Sequence, residues 1–375
     1  MTDVMIAGAG PAGAIAALIL ARAGVRVTLV DRASFPRDKL CGDTINPGAR
    51  TVLRRLGLDH VTAGGLPVQG MIVTGPRGER VTGAYDGHRP GVAISRRELD
   101  ERLLAAAAAA GAEVRQGVLV QGPVMSDDGG AVVGIELVGA SGRVERERAR
   151  ITIAADGRSS RIARTTGLSA TPRRPRRWAV GAIFAGVSGL TAYGEMHVRD
   201  RCYMGIAPLP GGYANGCVVT GDRALLRDPD VLMTTIRSDD GIADRFAHAT
   251  RVSDVTVLGP LAVDARAAGM PGLLLAGDAA GFIDPMTGDG LRFALRGAEL
   301  AAGETLRALD AGWLDAHVRL NAARRGEFAA KWRFNRALRA LASSPAAVRV
   351  GGVSAVFLPR LLRRVIQYAG DVTLA

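Results

Sequence analysis

Residues 3–8 (Asp-Val-Met-Ile-Ala-Gly) form a short, nearly unbroken apolar run, the length expected of a buried strand. Pro11 to Ala23 is rich in alanine and leucine and predicts a helix, stopped by Gly24. Residues 25–30 (VRVTLV) predict the next strand, closing at Asp31. Strand, helix and strand in that order are the unit of a parallel sheet. Ser95 and Glu98 make a capping box, so a helix is expected from there to about Ala110, with Gly111 as its stop. Residues 112–122 read as one strand returning to the sheet, and 131–138 with 143–155 as a hairpin that ends at Asp156. From 172 to 260 strand-like runs replace helices, at 178–187, 194–200, 202–210 and 212–221. The parallel pattern returns at 273, and residues 311–375 are helical in pattern. The expected architecture is therefore α/β. A Rossmann-like parallel-sheet domain comes from residues 1–60, 92–165 and 260–310. It is interrupted by a mostly antiparallel β domain from 61–91 and 166–259, and followed by a C-terminal helical region over 311–375.

Composition changes little in that picture. The chain has 375 residues, 48% of them hydrophobic, enough for a full core. It has no apolar run of about 18 residues, so no transmembrane helix is expected, and no signal peptide is apparent at its start. Cys41, Cys202 and Cys217 have unrelated spacings, which argues against a disulfide framework and for a reducing cytoplasm. The net charge of +12 suggests an anionic partner, but only Lys39 and Lys331 among the 48 basic residues are lysines, and the arginines are spread along the chain. With aromatic residues at 4%, few stacking platforms exist for bases, so nucleic acid is not expected as a partner. No Cys/His metal spacing occurs, and no serine-nucleophile elbow.

The first chemistry-bearing motif is Gly8-Ala9-Gly10-Pro11-Ala12-Gly13, between a strand and a helix. Gly8 permits the tight turn, Gly10 lets backbone approach a pyrophosphate, and Gly13 lets helix and strand pack closely. The helix N-terminus supplies free N–H groups for phosphates. Asp31, with Arg32 beside it, ends the second strand, where an acid accepts hydrogen bonds from ribose hydroxyls. An acid there favours an unphosphorylated ribose, as in FAD or NAD. Gly277-Asp278 follows a second apolar run and leads to Pro285, Gly288, Gly290 and Leu291, an unusual density of glycines beside a carboxylate.

The glycine-rich start, the Asp156-Gly157 pair and Gly277-Asp278 together resemble the three signatures of flavoprotein monooxygenases with the p-hydroxybenzoate hydroxylase fold. That group includes geranylgeranyl reductases and flavin-dependent halogenases, and the resemblance covers roughly residues 1–300. It implies a bound FAD. Asp278 would accept a ribityl hydroxyl, and Pro285 to Gly290 would wrap the isoalloxazine ring, with Leu291 also on the cofactor; a helix N-terminus there stabilises the anionic reduced ring. Arg96, in Arg-x-x-Leu-Asp, matches an arginine near the pyrophosphate; the alternative is a solvated first-turn residue. Asp156 matches an acid associated with FAD and NAD(P)H; the alternative is a strand-end turn. Val120 is placed on the same cofactor. Lys39-Leu40-Cys41-Gly42-Asp43-Thr44 resembles the cysteine–glycine segment of geranylgeranyl reductases and the Gly-Glu-Ser segment of halogenases. It puts Cys41, Gly42 and Asp43 beside the flavin. Cys41 is a catalytic candidate, or else a small buried hydrophobe. The halogenase Trp-x-Trp-x-Ile-Pro pattern is absent. No second glycine-rich unit exists, so NAD(P)H would visit transiently or an external flavin reductase would supply electrons.

The strand-rich segments are expected to roof the flavin, with Tyr203 (a catalytic candidate), Met204, Ile206 and Pro208 lining a pocket. Glu195 and His197 share a strand face, as an acid/base pair or as a solvated surface. Residues 173–177, four arginines around Pro175, read as a solvated linker, or as an anion-docking patch for a carrier phosphopantetheine, an NAD(P)H phosphate or a lipid headgroup. Residues 357–370 are basic and amphipathic, fit to lie on a membrane surface or, in the favoured reading, to cover the substrate domain. The resulting expectation is a cytoplasmic FAD-dependent oxidoreductase driven by NAD(P)H. It acts on an apolar or aromatic small molecule, free or carrier-bound, leaning to hydroxylation or epoxidation. Alkene reduction is the alternative, and a non-catalytic flavin protein the more distant one.

Overall fold

The computed structural model describes residues 2–41, 43–85, 89–139, 141–172, 176–342, 344, 346–348 and 359–371. Its helices are α1 (Pro11–Arg22), α2 (Pro47–Arg55), α3 (Arg96–Ala109), α4 (Arg161–Thr165), α5 (Val231–Arg237), α6 (Gly290–Ala311), α7 (Ala316–Leu341) and α8 (Pro359–Ala369). The central sheet has six strands in the order Gly269–Met270, Leu273–Leu275, Ile151–Ala154, Val4–Ala7, Val27–Asp31 and Glu113–Gln116. All its pairs are parallel except the first.

Alternation along the first strand explains the layers. Val4 and Ile6 point to one face, where α1, α3 and α6 pack, and Met5 and Ala7 point to the other. That second face is covered by an antiparallel sheet of Leu119–Met125, Val132–Val138 and Val144–Arg148, through Val132, Ile135 and Leu137. Each large side chain buried here stabilises the fold by about 1.5–3 kcal/mol. Two expected strands prove to be pairs. Residues 112–122 split at Gly117 (φ +70°) into Glu113–Gln116 in the central sheet and Leu119–Met125 in the covering one. Residues 143–155 likewise divide into Val144–Arg148 and Ile151–Ala154. In each segment one half is polar and more exposed, Glu113–Gln116 and Val144–Arg148, and the other is more buried.

The second large sheet is ordered Thr250–Arg251, Trp178–Ala185, Tyr213–Thr220, Cys202–Leu209, Tyr193–Val198, Gly70–Thr74 and Arg80–Ala84, with Thr256–Leu258 also on Trp178–Ala185. Its pairs are antiparallel apart from Tyr193–Val198 on Gly70–Thr74. One face packs on α5 around Phe184, Met204, Ile206 and Phe246. The other carries Ala179, Met196, Val198, Tyr203, Cys217 and Val219. The chain is thus a mixed α/β protein with a parallel sheet, a largely antiparallel sheet and C-terminal helices. Among the described residues no helix is long and apolar enough to cross a membrane.

Candidate functional site

Three turns from distant parts of the chain meet at the carboxyl ends of the central strands. Gly8 has φ +96°, and a Cβ there would stand 2.5 Å from the Ala155 carbonyl. A Cβ on Gly13 would collide with the Gly8 carbonyl, so helix and strand touch only because both residues are glycine. Gly277 (φ +59°) lies so close to α1 that its Cβ would be 2.8 Å from that of Ala12. α1 begins at Gly10 with no side-chain cap, leaving its first N–H groups open. Asp31 secures the turn: its carboxylate accepts from Ala9 N (2.7 Å) and Ala33 N (2.8 Å).

These turns open on a cavity of about 1170 Å³. Gly8, Gly10, Ala12, Asp31, Arg32, Cys41, Arg96, Val120, Asp156, Gly157, Tyr203, Gly277, Asp278, Pro285, Gly288, Gly290 and Leu291 all line it. Gly13 acts from behind as a packing residue, and Gly42 lies outside the described residues. Burial pushes the Asp278 carboxyl up, against the opposing pull of Lys39, Arg96 and Arg158. Its carboxylate accepts no hydrogen bond from the described residues and faces the cavity. Burial also raises Asp156, against its bonds from Ser160 and Arg161 N. Asp156 Oδ2 accepts from Arg161 N (2.9 Å), while its buried Oδ1 has no partner among the described residues.

Arg96 is buried, not solvated. Its guanidinium pairs bidentately with Asp100 one turn along α3 (both 2.7 Å), and Arg37 reaches the same carboxylate at 3.1 Å. Desolvation opposes the Arg96 charge, but Asp100 outweighs it and holds the cation firmly protonated. The Cys41 thiol lies against this guanidinium. Asp43 departs from the expectation of a cofactor contact. At φ +48° its side chain turns away from the cavity, accepting from Arg96 N (3.0 Å) and Asn215 Nδ2 (2.6 Å). Burial lifts its pKa to about 6, opposed by those bonds. It is a bracket that fixes the Lys39–Thr44 segment, and Asn215 adds a bond to the Cys41 carbonyl (2.8 Å).

The second sheet supplies the roof. Register sets Gly181 and Gly205 on either side of Cys217, and Leu40 fits where a Cβ on Gly181 would be. Burial pushes the Cys217 thiol up to about 12. Tyr203 faces the cavity, but its hydroxyl donates to Asp284 (2.6 Å), which also pairs with Arg177 (3.1 Å) and accepts from Met286 N (3.2 Å). The Tyr203 proton is thus engaged in fixing the Pro285–Thr287 turn. Arg177 is correspondingly buried rather than part of a solvated linker; Arg173 to Pro175 lie outside the described residues. Met204 and Pro208 are absent from the cavity lining, whereas Ile206, of the same strand parity and packed in the cluster against α5, still borders it. Glu195 and His197 share one face of their strand. They are buried and bonded to each other (3.1 Å), with Arg245 bidentate on Glu195 (2.6 and 2.8 Å) and Thr74 on His197 (2.9 Å). The Arg245 hydrogen bonds overcome desolvation and hold Glu195 at about 2. The pair is a buried ion-pair cluster rather than a solvated surface; Glu195 borders the cavity with its carboxylate committed to Arg245 and His197, and His197 does not line it.

Sequence reasoning missed Asn46, Asp100, Asn215, Asp284 and Arg324. Asn215 was within reach, two positions from Cys217 on the same strand face. Arg324 of α7 is buried and donates to the Ala280 carbonyl (2.9 Å), supporting the Asp278 turn from behind.

Residues 1–304 match the family described as FAD binding domain. Menaquinone reductase of Mycobacterium tuberculosis is 31% identical over 324 residues, which cover 80% of this chain and 75% of that one. Digeranylgeranylglycerophospholipid reductase 2 of Methanopyrus kandleri is 32% identical over 329 residues, covering 82% and 78%. Conditioned medium factor receptor 1 of Dictyostelium discoideum is 29% identical, and this chain spans 64% of its length. Two solved structures share the fold. A geranylgeranyl bacteriochlorophyll reductase-like protein from Thermoplasma acidophilum has a TM-score of 0.79 at 22% identity, covering 92% of this chain and 89% of that one. The myxobacterial chondrochloren halogenase CndH has a TM-score of 0.83 at 20% identity, covering 99% and 96%. The residues present fit FAD: uncapped N–H groups at α1, an orphaned Asp156 oxygen, an unbonded Asp278 carboxylate, and a cavity larger than one small molecule requires. The chain belongs to the FAD binding domain family and is an FAD-dependent oxidoreductase related to the digeranylgeranylglycerophospholipid and menaquinone reductases.

Proposed function

We propose that the protein reduces carbon–carbon double bonds in a long apolar, isoprenoid-like chain, with electrons from NAD(P)H or from an external flavin reductase. The observation that carries this reading is the apolar part of the cavity. Beyond the glycine turns it is walled largely by Met71, Val73, Val81, Met196, Val198 and Ile366, with Thr74, Glu79, Tyr85 and Glu195 as the polar residues among them. The names of the relatives, two of them reductases and one acting on a digeranylgeranyl lipid, support the same substrate class.

When bound and reduced, FAD supplies the hydride. The chain's own residues do the rest. The turn Gly8–Gly13 and the start of α1 would hold the pyrophosphate, Asp31 the ribose, and Asp278 a ribityl hydroxyl. Saturation adds a hydride to one carbon and a proton to the other as the π bond breaks. Of the two catalytic candidates, Tyr203 is engaged with Asp284, whereas the Cys41 Sγ–H stands at the cavity beside Arg96. Cys41 is therefore assigned the proton, and Arg96 the thiolate left behind. The unpaired cysteines suit a reducing compartment, the cytoplasm.

Oxygen insertion into an apolar molecule is the second reading, favoured by the engagement of Glu195 and His197 with each other, Arg245 and Thr74, because that chemistry needs no protein base. An anaerobic incubation separates them. FAD-loaded protein with NADPH, or dithionite if NADPH does not bleach the flavin, is mixed with geranylgeraniol. Products heavier by two hydrogens per saturated bond, formed without air, support reduction. A product gaining one oxygen, formed only in air, overturns it.

A further inference from the structure

The stretch beyond residue 304, past the family match, also builds the cavity. α8 turns Leu362, Val365, Ile366 and Ala369 toward it, an i, i+3, i+4, i+7 stripe, and leaves Arg360, Leu361, Arg363 and Arg364 exposed. Leu338 and Leu341 from the end of α7 add to the same wall. The helix lies on the strand Arg80–Ala84 at a place made for it, since a Cβ on Gly83 would stand 2.6 Å from Ile366 Cδ1.

The far end of α8 is clasped. Lys331 Nζ reaches the Tyr368 carbonyl (2.5 Å), the Ala369 carbonyl (3.0 Å), Asp371 (3.1 Å) and Asp289 (3.1 Å). Asp371 also pairs with Arg292 of α6 at 2.8 Å. Lys331 is one of two lysines among 48 basic residues. A compact ammonium with three rotatable donors suits several convergent oxygens, where a planar guanidinium does not. Because Asp289 sits between Gly288 and Gly290, the clasp ties the α8 wall to the turn that faces the cofactor.

We propose that α8 is the specificity-determining wall of the site, with Leu362 and Val365 setting how long an apolar chain the cavity accepts. This rests on the reading of the cavity as an apolar-substrate site. A chain gains affinity with each methylene it buries until it meets the wall; further carbons then stay in water or displace a packed helix.

The test uses FAD-loaded protein and isothermal titration with geraniol, farnesol and geranylgeraniol, which differ by one isoprene unit each. FAD content and far-UV circular dichroism establish that each variant is folded. Val365→Phe is expected to weaken geranylgeraniol by about tenfold or more while leaving geraniol within about twofold. Leu362→Ala is expected to favour the longest alcohol relative to the shortest. Variants that shift all three alcohols equally, or none, overturn the role of α8 and leave the substrate reading intact. Failure of the unaltered protein to bind any of them overturns that reading, and this inference with it.

Discussion

Asp278 closes an apolar strand with a carboxylate that burial disfavours and no described neighbour bonds. Such a group persists where a ligand completes it. Asp278→Ala is expected to weaken FAD about 10- to 100-fold, the equivalent of one hydrogen bond to a charged group at about 1.5–3 kcal/mol. Fluorescence titration of the apoprotein measures it, and an unaltered affinity removes Asp278 from the site. Asp43 makes a prediction in pH. Its pKa rises from the ordinary 3.8 to about 6 in the folded chain, so between those values the folded state holds more proton than the unfolded. Stability from this residue is then greatest below about pH 4 and falls as pH rises to about 6, by on the order of 3 kcal/mol. Asp43→Asn should flatten that slope in urea midpoints measured across the window; an identical slope refutes the assignment. The two aspartates were not equally legible in sequence. Asp278 follows a strand and precedes glycines, a local pattern that carries its own geometry. Asp43 lies at a positive-φ residue inside an irregular segment, and its direction is fixed by Asn215, 172 positions away.

Helix α8 tests how elements are joined. Lys331, Asp289 and Asp371 are all at most 3% exposed, so removing the cation leaves two buried carboxylates short of charge. Lys331→Met is expected to cost about 3–5 kcal/mol in chemical denaturation, and limited proteolysis should cut first near α8. A loss under about 1 kcal/mol, with no new cleavage, contradicts the clasp. Packing under the helix gives a paired test. Gly83→Ala drives a methyl into Ile366, and Ile366→Ala removes the obstacle, so the double variant should be more stable than the sum of the single effects predicts. Additive costs mean the two residues do not meet. At this scale the sequence showed α1, the capped α3, with Ser95 accepting from Glu98 N at 3.2 Å, and the strands of the second sheet. It hid seams such as Gly117, where two short strands follow each other without an intervening loop and a positive φ marks the break. It also hid which of Tyr203, Met204, Ile206 and Pro208 reach the cavity: Tyr203 and Ile206 do, and Met204 and Pro208 do not.

At the scale of the whole molecule, the cavity is where separate parts of the chain meet. Gly8, Asp156 and Asp278 come from the central sheet, Cys217 and Met196 from the second sheet, and Val365 from the last helix. The order of motifs along the chain made their convergence legible. The amphipathic pattern of 357–370 was legible as a cover for the substrate domain, and α8 does lie on Arg80–Ala84, but its share in the cavity wall was not, because a buried face does not show what lies beneath it. A ligand seated among all these parts binds the folded chain and has no site in the unfolded one. Its stabilisation follows RT ln(1 + [L]/Kd), about 2.7 kcal/mol when FAD is at a hundred times its Kd. Apoprotein is therefore expected to melt at a temperature that climbs with the logarithm of added FAD, and α8 should gain protection in hydrogen exchange as it does. Gly13→Ala, which sets a methyl against the Gly8 carbonyl, should lower the starting midpoint and flatten the climb together. Val365→Phe, remote from the turns, should leave the climb intact. A melting temperature indifferent to FAD, or one that responds while α8 exchange does not, would separate the last helix from the cofactor site and dissolve the link the clasp provides.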